Sequence, residues 1–167
     1  MPDRVSAHEV ATWRTFLTAH TRAGAWIEFE LEEHDLVPLE WYDLLVAIQL
    51  APDHRLRMMD VAQSLLLTRS NATRLVDKLE TRGLIRRNRL DVDRRGMAAV
   101  LTAAGREALR RAWPVYAQGI RRYFISHLSR RERQTVASAL GKVAGQPQPS
   151  RPPRRRQKLG QRRWSHS

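Results

Sequence analysis

Thr68-Arg69-Ser70-Asn71-Ala72-Thr73-Arg74-Leu75-Val76-Asp77-Lys78-Leu79-Glu80-Thr81-Arg82-Gly83 carries two patterns at once. Ala72, Leu75, Val76 and Leu79 recur at i, i+3, i+4 and i+7, the stripe an α-helix buries. Arg69, Ser70, Asn71, Thr73, Arg74 and Lys78 fall on the opposite, polar and basic face. Thr68 can cap this helix, although Asn71 in place of Glu or Gln leaves the capping box incomplete. Gly83 supplies its stop. Just before it, Val61, Ala62, Leu65 and Leu66 define a shorter apolar stripe. Met59 sits where a capping residue would be better, and Asp60 complements the helix dipole. Two amphipathic helices joined by a tight turn, the second basic on its free face, predict a helix-turn-helix.

Downstream the period changes. Leu84–Leu90 and Ala98–Thr102 read as extended, and Asp91-Val92-Asp93-Arg94-Arg95-Gly96 between them has turn chemistry. A basic hairpin directly after a helix-turn-helix is a wing. Upstream, Trp13, Phe16, Leu17, His20, Gly24, Ile27 and Leu31 fall at helical spacing. One helix over about 5–34 would extend roughly 45 Å. That is too long for a small domain to cover, and Trp26 and Phe29 widen its apolar surface. Such a helix is expected to pack on a second chain. Pro38 suits the first turn of a further helix carrying Trp41, Leu44, Leu45 and Ile48, which stops at Ala51-Pro52-Asp53. A short segment follows at Leu56–Met58.

After the wing, a helix over about 103–127 presents Leu109, Trp113, Tyr116, Ile120, Tyr123, Phe124 and His127, with a kink expected at Pro114. Ser129-Arg130-Arg131-Glu132 is a capping box opening a last helix with Val136, Ala137, Leu140 and Val143. The predicted class is therefore mainly α (α+β): a winged helix-turn-helix lobe with a helical dimerisation region built from both chain ends. The expected division is 1–35, an N-terminal dimerisation helix; 36–104, the DNA-binding lobe; 105–145, C-terminal dimerisation helices; and 146–167, a basic disordered tail.

Composition narrows the function. The chain has 167 residues, 30 Lys and Arg against 17 Asp and Glu, and a formal charge of +13. Such an excess selects a polyanionic partner. The charge is uneven: residues 5–43 hold eight acids and two bases, and residues 68–96 hold nine bases and four acids. The last 22 residues hold seven bases and no acid, with four of the eight prolines. Cysteine is absent, which removes disulfides, thiolate metal sites and thiol nucleophiles. No secretory h-region or membrane-length apolar run is evident, so a cytoplasmic protein is expected, with no membrane partner. No Gly-rich phosphate loop, H-E-x-x-H or G-x-S-x-G occurs, and the chain is read as non-enzymatic and without a cofactor.

Asp93-Arg94-Arg95-Gly96-Met97-Ala98-Ala99-Val100-Leu101-Thr102-Ala103-Ala104-Gly105 resembles the wing signature D-x-R-x-x-x-V-x-L-T-x-x-G of the MarR family of bacterial regulators. Ala99 stands where the family usually has Val. Met59-Asp60-Val61-Ala62 with Leu65, and Thr73–Glu80 ahead of Gly83-Leu84-Ile85, are similar as well. The resemblance covers about 36–143. It implies a homodimer that binds pseudo-palindromic double-stranded DNA, usually as a repressor, and often releases it when a small ligand occupies the crevice between lobe and dimer region.

Each candidate site residue has a role and a competing reading. At the start of the recognition helix, Ser70, Asn71 and Arg74 are expected at base edges: Arg74 can be bidentate to guanine and Asn71 to adenine. Arg69 and Thr73 are expected at phosphates, and Lys78 lies further along the same face. The competing reading is a merely solvated helix face. By the family signature Arg95 is the residue inserted in the minor groove, where narrow A·T tracts favour arginine, and Asp93 orients an Arg side chain. Arg94 is expected at a phosphate or in solvent. Arg86, Arg87 and Arg89 alternate around a strand, so only some can face DNA. Trp13, His20, Trp41 and Tyr42 could surround a small aromatic effector, with ordinary core or dimer packing as the alternative. Glu30, Glu32, Glu33, His34 and Asp35, with His54 and His127 elsewhere, raise a metal-responsive reading, but their spacing matches no defined metal motif. Two other classes stay open: a non-specific architectural DNA-binding protein, and a protein-interaction module that uses the winged helix as a docking surface, which the polar, basic recognition face disfavours.

Overall fold

In the computed structural model, which describes residues 4–89 and 96–145, Ser6 opens the first helix, α1 (Ala7–Glu33). A complete capping box holds it: Glu9 N–H donates to the Ser6 hydroxyl at 3.2 Å, and Ser6 N–H donates to the Glu9 carboxylate at 2.7 Å. At its far end Asp35 takes a left-handed φ of 52°, and Leu36 N–H returns to the Leu31 carbonyl at 2.9 Å. The chain thereby reverses into α2 (Leu39–Leu50). Pro38 sits at the cap of α2 rather than in its first turn. The first free N–H of α2, on Leu39, is satisfied by the Glu28 carboxylate of α1 at 2.7 Å.

A short 3-10 turn, Pro52–His54, leads to β1 (Arg55–Arg57) and then α3 (Met58–Ser64). The helix α3 is shorter than its apolar stripe suggests. It stops at Ser64, Leu66 turns left-handed (φ 55°), and Leu67 N–H bonds back to the Ala62 carbonyl at 2.8 Å. Leu66 is thereby thrown out of the buried face and is 75% exposed. The tight turn needs one left-handed residue there, and the turn overrides the periodicity.

The recognition helix, α4 (Arg69–Thr81), is capped by Thr68, whose hydroxyl accepts Asn71 N–H at 3.2 Å. Gly83 (φ 69°) ends it, with Leu84 N–H on the Leu79 carbonyl at 2.9 Å. The hairpin β2 (Ile85–Arg89) and β3 (Met97–Leu101) follows, and β1 pairs with the other edge of β3 to give an antiparallel sheet in the order β1-β3-β2. Ala99 of β3 faces Leu56 on one side and Arg87 on the other. The wing tip, with Asp93, Arg94 and Arg95, lies outside the described residues, as does the basic tail.

One core fills the lobe: Leu44, Leu45 and Ile48 of α2, Val61 of α3, the Ala72-Leu75-Val76-Leu79 stripe of α4, and Ile85, Ala99 and Leu101 of the sheet. A second joins Ile27 and Leu31 of α1 to Tyr42 of α2 and Ala112 of α5 (Ala103–Tyr123). The fifth helix runs through Pro114 as one element but ends at Tyr123, and Ile125–His127 is a 3-10 turn rather than a continuation. Its fully buried residues are Gly105, Ala112 and Gly119, seven apart, while Trp113 is 56% exposed. Small residues face inward because α1 and the wing base approach closely: a Cβ on Gly119 would lie 2.8 Å from Ile27 Cγ1.

The chain divides into two compact units, residues 1–128 and 129–167. In the second, Ser129 and Glu132 form a complete capping box for α6 (Arg130–Ala144). None of its residues is buried within the chain, and Leu140 and Val143 are exposed.

Candidate nucleic-acid interface

All six residues assigned to the recognition face, Arg69, Ser70, Asn71, Thr73, Arg74 and Lys78, are exposed on α4. Burial of the Ala72-Leu75-Val76-Leu79 stripe in the lobe core dictates this, since a helix that commits one side to packing must present the other. Their polar groups are not equally free. Asn71 uses its backbone N–H in the cap and keeps its side-chain amide. The Thr73 hydroxyl donates to the Arg69 carbonyl at 3.0 Å, so its proton is engaged within the helix.

Beside this face stands the wing strand β2. Arg86 and Arg89 are exposed, whereas Arg87 is half-buried and committed. Its guanidinium pairs with Glu80 and, at 2.5 Å, with Asp77, both on α4. Strand alternation sets Arg87 and Arg89 on the face of the buried Ile85 and Arg86 on the other; of the two, Arg87 lies next to Ile85 and is half-buried, while Arg89 at the strand's end is exposed. The wing base is tied down separately. Thr102 caps α5 through Gly105 N–H (3.1 Å), and its hydroxyl lies 2.6 and 3.0 Å from the Gly83 and Leu84 carbonyls. Neither the Arg87 nor the Thr102 tether is stated by periodicity, although the alternation Ile85-Arg86-Arg87 contains the first.

The four residues assigned to an effector do not share one site within the chain. Trp13 (58% exposed) and His20 lie on the uncovered half of α1, each beside Phe16, with ring centroids 5.8 and 6.4 Å away. Trp41 packs against the lobe core, with the Arg82 guanidinium 5.8 Å from its ring centre. Tyr42 is 4% exposed in the second core, its ring 4.5 Å from that of Tyr116. Burial, with Tyr116 and Asp43 nearby, pushes the Tyr42 hydroxyl up to about 12, so it is neutral at ordinary pH. Adjacent helical residues point about 100° apart, which is why Trp41 and Tyr42 enter different cores.

A cleft of about 730 Å³ lies instead among α1, α2 and the α3–α4 turn, with Gly24, Glu28, Leu39, Asp43, Leu65 and Leu66 on its walls. Burial first, and Glu28 second, raise the Asp43 carboxyl above its ordinary value. As for metals, Glu30 accepts from the Tyr123 hydroxyl and from Arg122 (3.2 Å), and His34 Nδ1 lies 2.8 Å from the Glu30 carbonyl. Among the described residues no three His, Asp or Glu side chains are grouped to hold an ion. No helix among them is long and apolar enough to cross a membrane.

The MarR family model matches residues 27–96, which span the last seven residues of α1, α2, the helix-turn-helix and the wing region up to the start of β3. The HTH-type transcriptional regulator YkoM of Bacillus subtilis, itself uncharacterised, is 30% identical over 131 residues, covering 78% of this chain and 82% of that protein. The transcriptional repressor MprA of Escherichia coli is 37% identical over 70 residues, 42% of this chain and 40% of MprA. Among solved structures, Sco3205, a MarR family transcriptional regulator from Streptomyces coelicolor in complex with DNA, is 31% identical with a TM-score of 0.79, over 90% of this chain and 94% of that one. AbsC, a MarR family regulator from the same organism, is 28% identical with a TM-score of 0.76, over 85% and 95%. The chain belongs to the MarR family of transcriptional regulators.

Proposed function

We propose that this chain acts as a homodimeric, sequence-specific repressor that reads a pseudo-palindromic duplex with α4 and the wing and releases it on binding a small aromatic effector. The observation that carries DNA reading is the undivided exposure of Arg69, Ser70, Asn71, Arg74 and Lys78 on one face of α4, flanked by the exposed Arg86 and Arg89 of β2. A helix so presented fits the major groove, where each base pair shows a distinct donor and acceptor pattern. Dimerisation is supported by the first half of α1, where Val10, Trp13, Phe16 and Leu17 are exposed along one stripe. Surface of that kind is covered by a partner in a stable protein. Repression is the activity of MprA, whose similarity falls on 70 residues of the chain.

The effector reading is supported by the cleft rather than by the aromatic residues. It abuts Ser64–Leu67, the turn that leads into α4, so a bound ligand would press directly on the element that aims the recognition helix. Glu28, Glu40 and Asp43 on its walls favour a neutral or cationic ring system over an aromatic acid.

The test begins with selection of duplexes from a randomised pool by the full chain, and sedimentation of the protein at micromolar concentration. We expect a dimer, half-sites about 34–36 Å apart or a multiple of that, and at least about a thousandfold preference over random DNA. A monomer, or equal affinity for selected and random duplexes, would replace the regulator with a non-specific architectural protein.

A further inference from the structure

Arg87 is bonded to two residues of α4. Its backbone N–H donates to Glu80 Oε1 at 3.0 Å, one guanidinium nitrogen bonds the same carboxylate, and the other bonds Asp77 at 2.5 Å. Asp77 and Glu80 stand three apart on one side of α4, interleaved with Arg74 and Lys78 of the DNA face. The only covalent path between α4 and β2 is the turn Arg82–Leu84, built around the left-handed Gly83. Thr102 and the Leu79 carbonyl hold that turn itself, and Arg87 is a further tie to α4 beyond it, along the strand. Three bonds from Arg87 to two carboxylates, one of them donated by its own backbone N–H, oppose movement of the strand away from α4. The single guanidinium charge also offsets part of the negative charge of two carboxylates that stand beside the DNA face.

We infer that Arg87 is a positioning residue for DNA reading: it braces β2 against α4, so that the recognition helix and the wing meet the duplex at one fixed angle, and it touches no phosphate itself. This rests on the DNA-binding reading above. It separates Arg87 from Arg86 and Arg89, its neighbours on the same strand and of like charge, which carry no such bonds to α4. An Arg is required rather than a Lys, because one planar fork must reach two carboxylates at once.

The sign of one measurement separates bracing from contact. Asp77→Asn and Glu80→Gln keep the side-chain volumes and remove negative charge beside the DNA. If Arg87 were a DNA contact, freeing it and deleting those charges would tighten binding. If it is a brace, binding weakens. With the full-length protein and the best duplex from the selection, Glu80→Gln and the double variant should lose about tenfold in affinity, the scale of a charge-assisted hydrogen bond. Arg87→Ala should lose as much while leaving the slope of log K against log salt unchanged. Arg69→Ala, the control at a residue expected on a phosphate, should lower that slope by about 0.9 per contact removed.

Tighter or unchanged binding by Glu80→Gln would overturn the inference, and so would a slope lowered in Arg87→Ala by the amount of a phosphate contact. Should Arg87→Ala melt too low to assay, the two carboxylate variants decide alone. Should the wild type select no preferred duplex, the regulator reading fails separately, and the same affinities and slopes on random duplex still test the brace.

Discussion

Replacing Gly105 by alanine should damage the molecule far more than one methyl group suggests. Gly105 lies in the first turn of α5, and a Cβ built there falls 2.0 Å from the Leu84 carbonyl oxygen, 3.0 Å from its carbon and 3.5 Å from Leu101 Cδ2. A carbon–oxygen contact needs about 3.3 Å, so backbone must move by roughly 1 Å or more. The obstacle cannot rotate away, because it is main chain and not the tip of a side chain. Leu84 O also accepts Thr102 N–H at 3.1 Å and lies 3.0 Å from the Thr102 hydroxyl. Overpacking costs about 1–3 kcal/mol, and one or two weakened hydrogen bonds add about 0.5–1.5 kcal/mol each. A total of roughly 2–5 kcal/mol corresponds to a fall in Tm of about 5–20 °C for a chain of this size. Thermal melts followed by far-UV circular dichroism read this directly. A Gly105→Ala protein melting within about 2 °C of wild type would refute the reasoning, and with it the claim that α5 is seated on the wing base through this glycine.

Further expectations follow from single sites. Gly24 is a helical glycine of α1 with no atom within 4 Å of a built Cβ, so Gly24→Ala should raise stability by about 0.5–1 kcal/mol, read as a higher Tm. Arg74→Ala should cost roughly 1–3 kcal/mol on the best duplex and relax preference at one base pair, and unchanged preference in a substituted-duplex matrix would move base reading elsewhere on α4. Because the Asp43 carboxyl is raised above its ordinary 3.8 in the fold, the folded chain holds that proton more tightly than the unfolded one. Its contribution to stability is therefore greatest below the unfolded value and is lost as pH rises through the folded one. Asp43→Asn should flatten this decline in a pH series of melts and leave the neutral-pH Tm no lower than wild type. Removing residues 146–167 should lower the salt slope of DNA binding by about 2–5 per dimer and leave the melt almost unchanged.

The lobe is legible in the sequence because its signals are local. Thr68, the stripe of α4, Gly83 and the alternation after it each fix a few residues, and each agrees with its neighbours. The exposed recognition face follows from the stripe by subtraction. Leu66 breaks this logic: it continues the apolar pattern of α3, yet the turn into α4 needs a left-handed residue, and the backbone requirement prevails over side-chain preference. Trp41 and Tyr42 enter different cores for a different reason. Aromatic residues near one another in sequence suggest a shared pocket, but a helix sends neighbours in divergent directions, and each ring here completes a separate core. The cleft is not legible at all, since its walls come from α1, α2 and the α3–α4 turn, and no single segment announces it.

The fifth helix shows most clearly where periodicity stops and geometry begins. Its large residues draw the eye, yet Trp113 is exposed, and the helix is placed by Gly105, Ala112 and Gly119. Gly105 admits the Leu84 carbonyl at the wing base, Gly119 admits Ile27 of α1, and the two are fourteen residues, about 21 Å, apart on one rod. Small residues on a helix read as neutral in any hydrophobic pattern, because they bury little area. They matter here for what they leave empty: each lets main chain or a branched side chain come closer than a Cβ would permit. The wing base, which also carries the Arg87 brace to α4, and the long first helix, whose first half is exposed, are thus held by the same rod. Displacing α1 along α5 would load the Ile27–Gly119 contact at one end, and through a helix that packing makes stiff, the Gly105–Leu84 contact at the other.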